Sequence, residues 1–127
     1  FGGSLGSVAL NDAVVNGFKT HAYIAYFNGI PISLVCFLSN GKEGYISKVS
    51  TIPAFRRKQV ASSLMQYAIS QQRKKGVQEI VLVTDKHSSN EKFYTFNNFV
   101  EFGQAFAFDV TDVSKYKHFL NNNEIKE

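Results

Sequence analysis

Three basic residues lie where the sequence most clearly predicts chemistry. Arg56, Arg57 and Lys58 follow Pro53 and come directly before a segment with helical periodicity. The start of a helix presents unpaired backbone N–H groups and the positive end of the helix dipole, so cations are unfavourable there unless an anion binds. We therefore predict an anion site at this junction, and the natural ligand is one that carries a phosphate.

A second basic run has an ordinary structural explanation. Arg73, Lys74 and Lys75 fill the last turn of the same segment just before Gly76, where cations suit the dipole and glycine suits the end of a helix. The net charge is +4. A nucleic-acid binder is the weaker interpretation, because the first basic run is too short to follow a phosphate backbone.

The junction needs a strand before it and a helix after it. Tyr45 to Thr51 reads as the strand, and the helix is predicted from about Arg57 to Lys75. Its apolar positions form one continuous stripe: Val60, Ala61, Leu64, Met65, Ala68 and Ile69.

The preceding segments predict an antiparallel meander. His21 to Phe27 and Ile30 to Leu38 read as strands, and Asn28-Gly29 between them is a strong hairpin signal. Residues 1–20 are predicted to be a connector or a remnant of an upstream region, with a short helix between Leu10 and Phe18. The domain proper is predicted over residues 21–120, and residues 121–127 as a frayed tail.

Further elements follow the helix. Glu79 to Thr84 is predicted to be a central strand, and Phe99 to Val110 another. Between them we expect a short helix, capped by Ser88 or Ser89 and ending near Asn97-Asn98, with Phe93 and Phe96 turned inward. Asp112 to Leu120 is predicted to be a terminal helix. This order gives an α/β (α+β) fold with a mixed, mostly antiparallel sheet and helices on both faces.

Composition limits the class of protein. The chain has 127 residues, of which 44% are hydrophobic and 19% charged, as expected of one globular domain. The single Cys36 lies in an apolar run and reads as a small core residue, so a reducing, cytoplasmic setting is expected. No apolar run reaches membrane-spanning length, and neither a membrane nor a nucleic-acid partner is expected.

The junction resembles that of the GCN5-related N-acetyltransferase (GNAT) superfamily. Members carry Q/R-x-x-G-x-G/A between a strand that ends V-x-P and a long helix. Here Thr51-Ile52-Pro53 ends the strand, and Arg56 to Ala61 occupies the signature. A second family pattern, an aromatic–Tyr pair followed by Gly-Phe, is matched by Phe93-Tyr94 and Asn98-Phe99.

The resemblance implies an N-acetyltransferase that uses acetyl-CoA as co-substrate, without a metal, on a small-molecule or peptide amine. It implies that the strand binds the pantetheine arm through Val49, Ser50 and Thr51. It also implies that the loop and helix start hold the pyrophosphate, through Arg56, Arg57, Lys58, Gln59, Val60, Ala61 and Ser62.

The catalytic role implied by the resemblance falls on Tyr94, as the proton donor to the departing thiolate. The alternative is that Tyr94 is an amphipathic packing residue. His87 and Asn90 fall near family positions that contact the cofactor; a histidine in such a loop is more often a solvated polar residue.

The sequence departs from the family pattern at two points. Gln59 replaces the first signature glycine, which is unfavourable if the position requires a positive φ. The resemblance also implies an initial strand and two helices that are not expected before His21. The chain is therefore expected to be the C-terminal part of a longer protein, with an upstream domain or a homodimer completing the acceptor site. A degenerate module that binds CoA weakly or supports an adjoining domain is the alternative. Glu43, Tyr45 and Ser47 lie near the acceptor side, with Glu43 read mainly as a turn residue.

Overall fold

The computed structural model describes residues 1–15, 18–83, 90–103, 105–112 and 114–116. Its strands are β1 Ser4–Val15, β2 Phe18–Phe27, β3 Ile30–Ser39, β4 Glu43–Thr51, β5 Glu79–Val83, β6 Phe99–Phe102 and β7 Ala105–Phe108. Its α-helices are α1 Val60–Lys74 and α2 Asn90–Phe96, with 3₁₀ turns at Pro53–Phe55 and Ser114–Tyr116.

The strands form one sheet in the order β1-β2-β3-β4-β5-β7-β6. The pairings of β1 to β4, and those of β7 with β5 and β6, are antiparallel. The predicted mixed, mostly antiparallel sheet with helices is therefore confirmed. The chain divides into two compact units, residues 1–80 and 81–127.

The first unit contains the meander and α1. Asn28 and Gly29 both have positive φ, 52° and 78°, which joins β2 to β3 by the predicted two-residue turn. Helix α1 buries its predicted stripe except for the half-buried Ala61, and it contacts β2, β3 and β4. Leu64, Met65 and Ala68 are fully buried there, so the apolar spacing identified the core face of the helix correctly.

The prediction for residues 1–20 is corrected by β1. Ser4–Val15 is a strand that pairs with β2, so the predicted short helix and connector are wrong. The supposed absence of a strand before the meander is wrong as well. Residues 16 and 17, between β1 and β2, lie outside the described residues. The register shifts between Leu10 and Val14, and this irregularity interrupts the apolar alternation that would have marked a strand.

In the second unit, Phe99 to Val110 is a hairpin and not one strand. Strands β6 and β7 pair across Gly103, whose φ of 63° permits the reversal. The prediction of a single strand failed because phenylalanines recur on both sides of the turn, which made the segment read as continuous. The tertiary pairing of Phe99 with Phe108 decides the outcome.

Helix α2 turns a different face inward than predicted. Phe96 is 71% exposed and Phe93 half-buried, whereas Tyr94 and Asn97 are buried. The predicted left-handed closure at Asn98 is confirmed by its φ of 70°. The predicted caps Ser88 and Ser89 lie outside the described residues.

The terminal helix predicted from Asp112 is corrected in its described part. Only a 3₁₀ turn at Ser114–Tyr116 is present, and residues 117–127 lie outside the description. Tyr116 nevertheless is buried and contacts Phe102, with 5.2 Å between the ring centroids. The apolar pattern therefore identified Tyr116 as a core residue, although the described backbone there is a 3₁₀ turn and not the predicted helix.

Candidate active site

The backbone of β4 offers hydrogen-bonding groups at its end. The Ile52 N–H donates to the Ile32 carbonyl at 3.0 Å, so this opposed pair is hydrogen-bonded across β3 and β4. Pairs alternate in an antiparallel ladder, so Ser50 also faces β3, whereas Val49 and Thr51 direct their N–H and C=O groups away from it. Among the three residues predicted to bind pantetheine, Val49 and Thr51 thus have backbone groups directed away from β3, a direction here called outward, on the side of β4 where β5 follows in the strand order, and Ser50 does not.

A bulge lies further back in β4. Cys36 pairs with Lys48 and Phe37 with Ile46, which leaves Ser47 as the extra residue. A bulge bends its strand and re-aims the neighbouring groups, and bulges are frequent beside active sites. Ser47 Oγ donates to the Cys36 carbonyl at 3.4 Å, so its hydroxyl is directed to the neighbouring strand.

The loop after β4 has an unusual backbone. Arg57 and Gln59 both have a φ of 63°, in the left-handed region that side chains other than glycine rarely adopt. Lys58 between them is not in that region. An alternation of left- and right-handed residues turns successive N–H groups toward one point and forms an anion-binding nest. The predicted helix start at Arg57 is therefore corrected to Val60.

The N-terminus of α1, directly after this loop, has no side-chain cap from its N-cap residue. Gln59 is the N-cap residue, but its side chain makes no capping hydrogen bond. The first intrahelical bond runs from the Ser63 N–H to the Gln59 carbonyl at 3.0 Å, so the amides of Val60 and Ala61 lie ahead of it. This turn contains no acidic side chain. The amides and the dipole together favour an anion.

The three basic side chains of the loop are all exposed, and Arg56 differs from the other two. Its Nε donates to the Thr51 carbonyl at 3.0 Å. The Arg56 side chain therefore contacts the end of β4, and the sequence pattern did not predict this contact. Arg57 and Lys58 carry the rest of the positive charge.

Tyr94 is a buried residue of the second unit. It is 7% exposed and lies among Phe93, Phe99 and Phe106, with ring centroids 5.4, 5.8 and 5.7 Å away. Burial raises the pKa of its phenol, so the hydroxyl keeps its proton at neutral pH. These ring contacts fit the predicted packing role, and the proton-donor role stays a prediction.

The remaining predicted residues are located only in part. Asn90 is the first residue of α2, and His87 lies outside the described residues. Glu43 has the expected turn role, because its N–H bonds to Asn40 Oδ1 at 3.0 Å. The Tyr45 hydroxyl donates to Glu43 Oε1 at 3.4 Å. Burial is the main cause of the raised pKa of Tyr45, and the Glu43 carboxylate raises that pKa further.

Sequence comparison identifies the family. Residues 7–99 match the model of the acetyltransferase (GNAT) family, and the chain belongs to that family. No curated protein sequence matches the chain.

Solved structures show the same fold. The PaiA N-acetyltransferase of Thermoplasma acidophilum, determined in complex with coenzyme A, has a TM-score of 0.63 and 20% identity over 69% of this chain. The match spans 58% of that protein, less than two thirds of its length. The ribosomal-protein-S18-alanine N-acetyltransferase of Escherichia coli gives a TM-score of 0.70 and 12% identity over 88% of this chain and 97% of its own.

A GNAT-family acetyltransferase of Staphylococcus aureus Mu50 has a TM-score of 0.64 and 16% identity, covering 70% of this chain and 66% of that one. At these identities the likenesses establish the fold. In the part of the chain that the structure describes, no helix is long and apolar enough to span a membrane.

Proposed function

We propose that this chain is an N-acetyltransferase that moves an acetyl group from acetyl-CoA to a primary amine by direct attack. The observation that carries the proposal is the left-handed pair Arg57 and Gln59 ahead of the uncapped start of α1. Such a loop is costly to form, and a bound pyrophosphate offsets that cost because it accepts hydrogen bonds from the amides.

The cofactor is proposed to bind in two parts. The pantetheine arm lies along the outward backbone groups of Val49 and Thr51. The pyrophosphate lies at the loop and the first turn of α1, where Arg57 and Lys58 add Coulombic attraction. Family membership and the coenzyme A complex of the PaiA relative support this placement.

The reaction needs a free amine and a proton for sulfur. The amine lone pair attacks the thioester carbonyl, and the tetrahedral intermediate then expels the thiolate. Tyr94 donates its phenolic proton to that sulfur, the amine nitrogen releases a proton to water, and the phenolate is reprotonated from solvent. The raised pKa of Tyr94 keeps the phenol protonated before the reaction.

Substitution of Tyr94 tests this role. Tyr94→Phe keeps the aromatic contacts and removes only the hydroxyl, so turnover should fall by about 10- to 100-fold with the Kd for acetyl-CoA unchanged. Steady-state kinetics and calorimetry measure the two quantities. Phe93→Leu is the control for packing, because it alters a neighbouring ring and leaves the hydroxyl. Equal losses of turnover and of binding in Tyr94→Phe would assign the residue to packing.

A second candidate function is a non-catalytic module that binds CoA weakly or supports an adjoining domain. It is favoured by the presence of glutamine at a left-handed position, where strain weakens the loop. Acetyl-CoA turnover by the chain on a set of small amines and amino-terminal peptides would exclude this candidate. The absence of both heat and thermal shift with acetyl-CoA would exclude the acetyltransferase and leave only a module that supports an adjoining domain.

The acceptor site is proposed to be completed by an upstream domain or a second copy. The two residues between β1 and β2 leave no room for the helices that the resemblance implies there. Analytical ultracentrifugation at the protein concentrations used for turnover measures whether the chain forms a dimer.

A further inference from the structure

Thr51 is held by two contacts that family membership does not assign. Its Oγ1 lies 2.8 Å from Ser33 Oγ, and its carbonyl accepts the Arg56 Nε at 3.0 Å. Ser33 also donates to the Ser50 carbonyl at 2.9 Å. We call Ser33, Thr51 and Arg56 together the Thr51 anchor.

The hydrogen positions in the anchor follow from the acceptors. A carbonyl oxygen only accepts, so the single Ser33 hydroxyl proton is directed to Ser50. Thr51 must therefore donate to Ser33. The result is one directional chain from Thr51 to Ser33 to the Ser50 carbonyl, which leaves each of these two hydroxyl groups with one arrangement.

Burial makes Ser33 more than a surface contact. Its side chain is 5% exposed, on the face of β3 that also buries the apolar Val35 and Phe37. A buried hydroxyl must find partners to avoid a desolvation cost, and here its partners are both on β4. Ser33 therefore ties the end of β4 to β3 more firmly than the backbone ladder alone would.

We propose that Ser33 is a positioning residue, which acts through Thr51 to hold the outward backbone groups of β4 in the orientation that the pantetheine arm requires. The proposal rests on the proposed function. Arg56, the first residue of the anion-binding loop, completes the anchor. Its side chain donates to the carbonyl of Thr51 and so fixes the separation between the loop and the end of β4. In this assignment its guanidinium positions the strand, and the phosphates are left to the amides with Arg57 and Lys58.

Ligand fragments separate positioning from general stability. S-Acetylpantetheine contains the arm without the nucleotide, and 3′-phospho-ADP contains the pyrophosphate without the arm. Ser33→Ala should weaken acetyl-CoA and S-acetylpantetheine by about fivefold to tenfold and leave 3′-phospho-ADP unchanged. Calorimetry with the full chain provides all three Kd values.

Thr51 supplies the matched variants. Thr51→Val removes the hydroxyl at nearly constant shape and should weaken the same two ligands, acetyl-CoA and S-acetylpantetheine. Thr51→Ser keeps the hydroxyl and should bind these ligands with the affinity of the wild type. Ser39→Ala is the control, since it is another buried serine of β3 at the far end of the strand. It should leave all three Kd values unchanged.

The outcomes distinguish this inference from the proposed function. If the wild-type chain binds none of the three ligands, the proposed function fails, and this inference with it. If the wild type binds and Ser33→Ala binds all three equally well, the inference alone is wrong. A parallel loss of all three ligands in Ser33→Ala and Thr51→Val would make the anchor a purely structural contact and would also overturn the inference.

Discussion

The two ends of helix α1 are built on opposite principles. At the start, Gln59 caps the helix without a side-chain bond, the preceding loop is exposed and basic, and two of its residues are left-handed. At the other end, the amides of Lys75, Gly76 and Val77 all bond back to carbonyls of the last turn. Gly76 has a φ of 98°, as a glycine that closes a helix should.

Polar side-chain contacts of α1 with β2 lie near the closed end of the helix. Near the end of α1, the fully buried Gln72 donates through Nε2 to the Tyr23 hydroxyl at 2.7 Å, and Lys75 Nζ lies 3.0 Å from His21 Nε2. The closed end therefore connects the helix to β2, while the start has no capping bond from the Gln59 side chain. Under the proposed function, one end of the helix contributes stability and the other binds the ligand, and the following changes test that separation.

The largest effect is expected at the closed end. Gln72→Ala removes a fully buried side chain and leaves the Tyr23 hydroxyl without that donor, so the free energy of unfolding should fall by about 2–3 kcal/mol. The Kd for acetyl-CoA should not change under conditions where the protein is folded. Chemical denaturation and calorimetry measure the two values. Gln71→Ala, at the neighbouring half-buried position, should have little effect on either, and a weakened Kd in Gln72→Ala would contradict the separation.

A charge change at the open end should have the reverse effect. Lys58→Ala should weaken acetyl-CoA by about fivefold, since one screened cation near the phosphates contributes about 1 kcal/mol. The loss should shrink as salt is raised, and stability should hardly change. Lys74→Ala removes the same charge at the other end of α1 and is the matched control. Equal losses of affinity in the two variants would mean that only net charge matters.

The left-handed loop residue provides a smaller and opposite effect. Gln59→Gly relieves the positive φ, partly offset by the greater freedom of glycine in the unfolded chain, so stability should rise by about 0.5 kcal/mol and acetyl-CoA should bind more tightly. Lys58→Gly, at the neighbouring residue without positive φ, should instead destabilise the chain. Weaker binding by Gln59→Gly would show that the glutamine side chain itself contacts the cofactor.

The smallest effect concerns pH at the closed end. Burial lowers the pKa of His21, and the charges of Lys75 and Lys19 lower it further. The depressed value means that His21 stabilises the fold above its unfolded pKa of about 6.5, and that this contribution is lost as the pH falls through the folded value. Unfolding measured at pH 7.5 and 5.5 should show a small loss of stability at the lower pH, because His21 is only partly buried and solvent screens its charge. His21→Gln should reduce this pH dependence, and an unchanged dependence would assign it to other groups.

Much of the fold could be predicted because local signals agreed with the tertiary structure. Asn28-Gly29 specified its turn through positive φ, and the stripe from Val60 to Ile69 specified the buried face of α1. The failures occurred where local signals were weak or ambiguous. β1 is an edge strand with an interrupted register, and Gly103 turns the chain between two short strands that both contain phenylalanines.

For the candidate site, the sequence by itself determined the basic loop, its place before α1 and the positions of Gln59 and Tyr94. Only the tertiary structure decided that Gln59 is left-handed, that Arg56 contacts Thr51 and that Ser33 holds the same residue from β3. Motif spacing records which residue types follow one another along the chain. The pairing of β3 with β4 brings together residues 18 positions apart, and no local pattern along the chain encodes that contact.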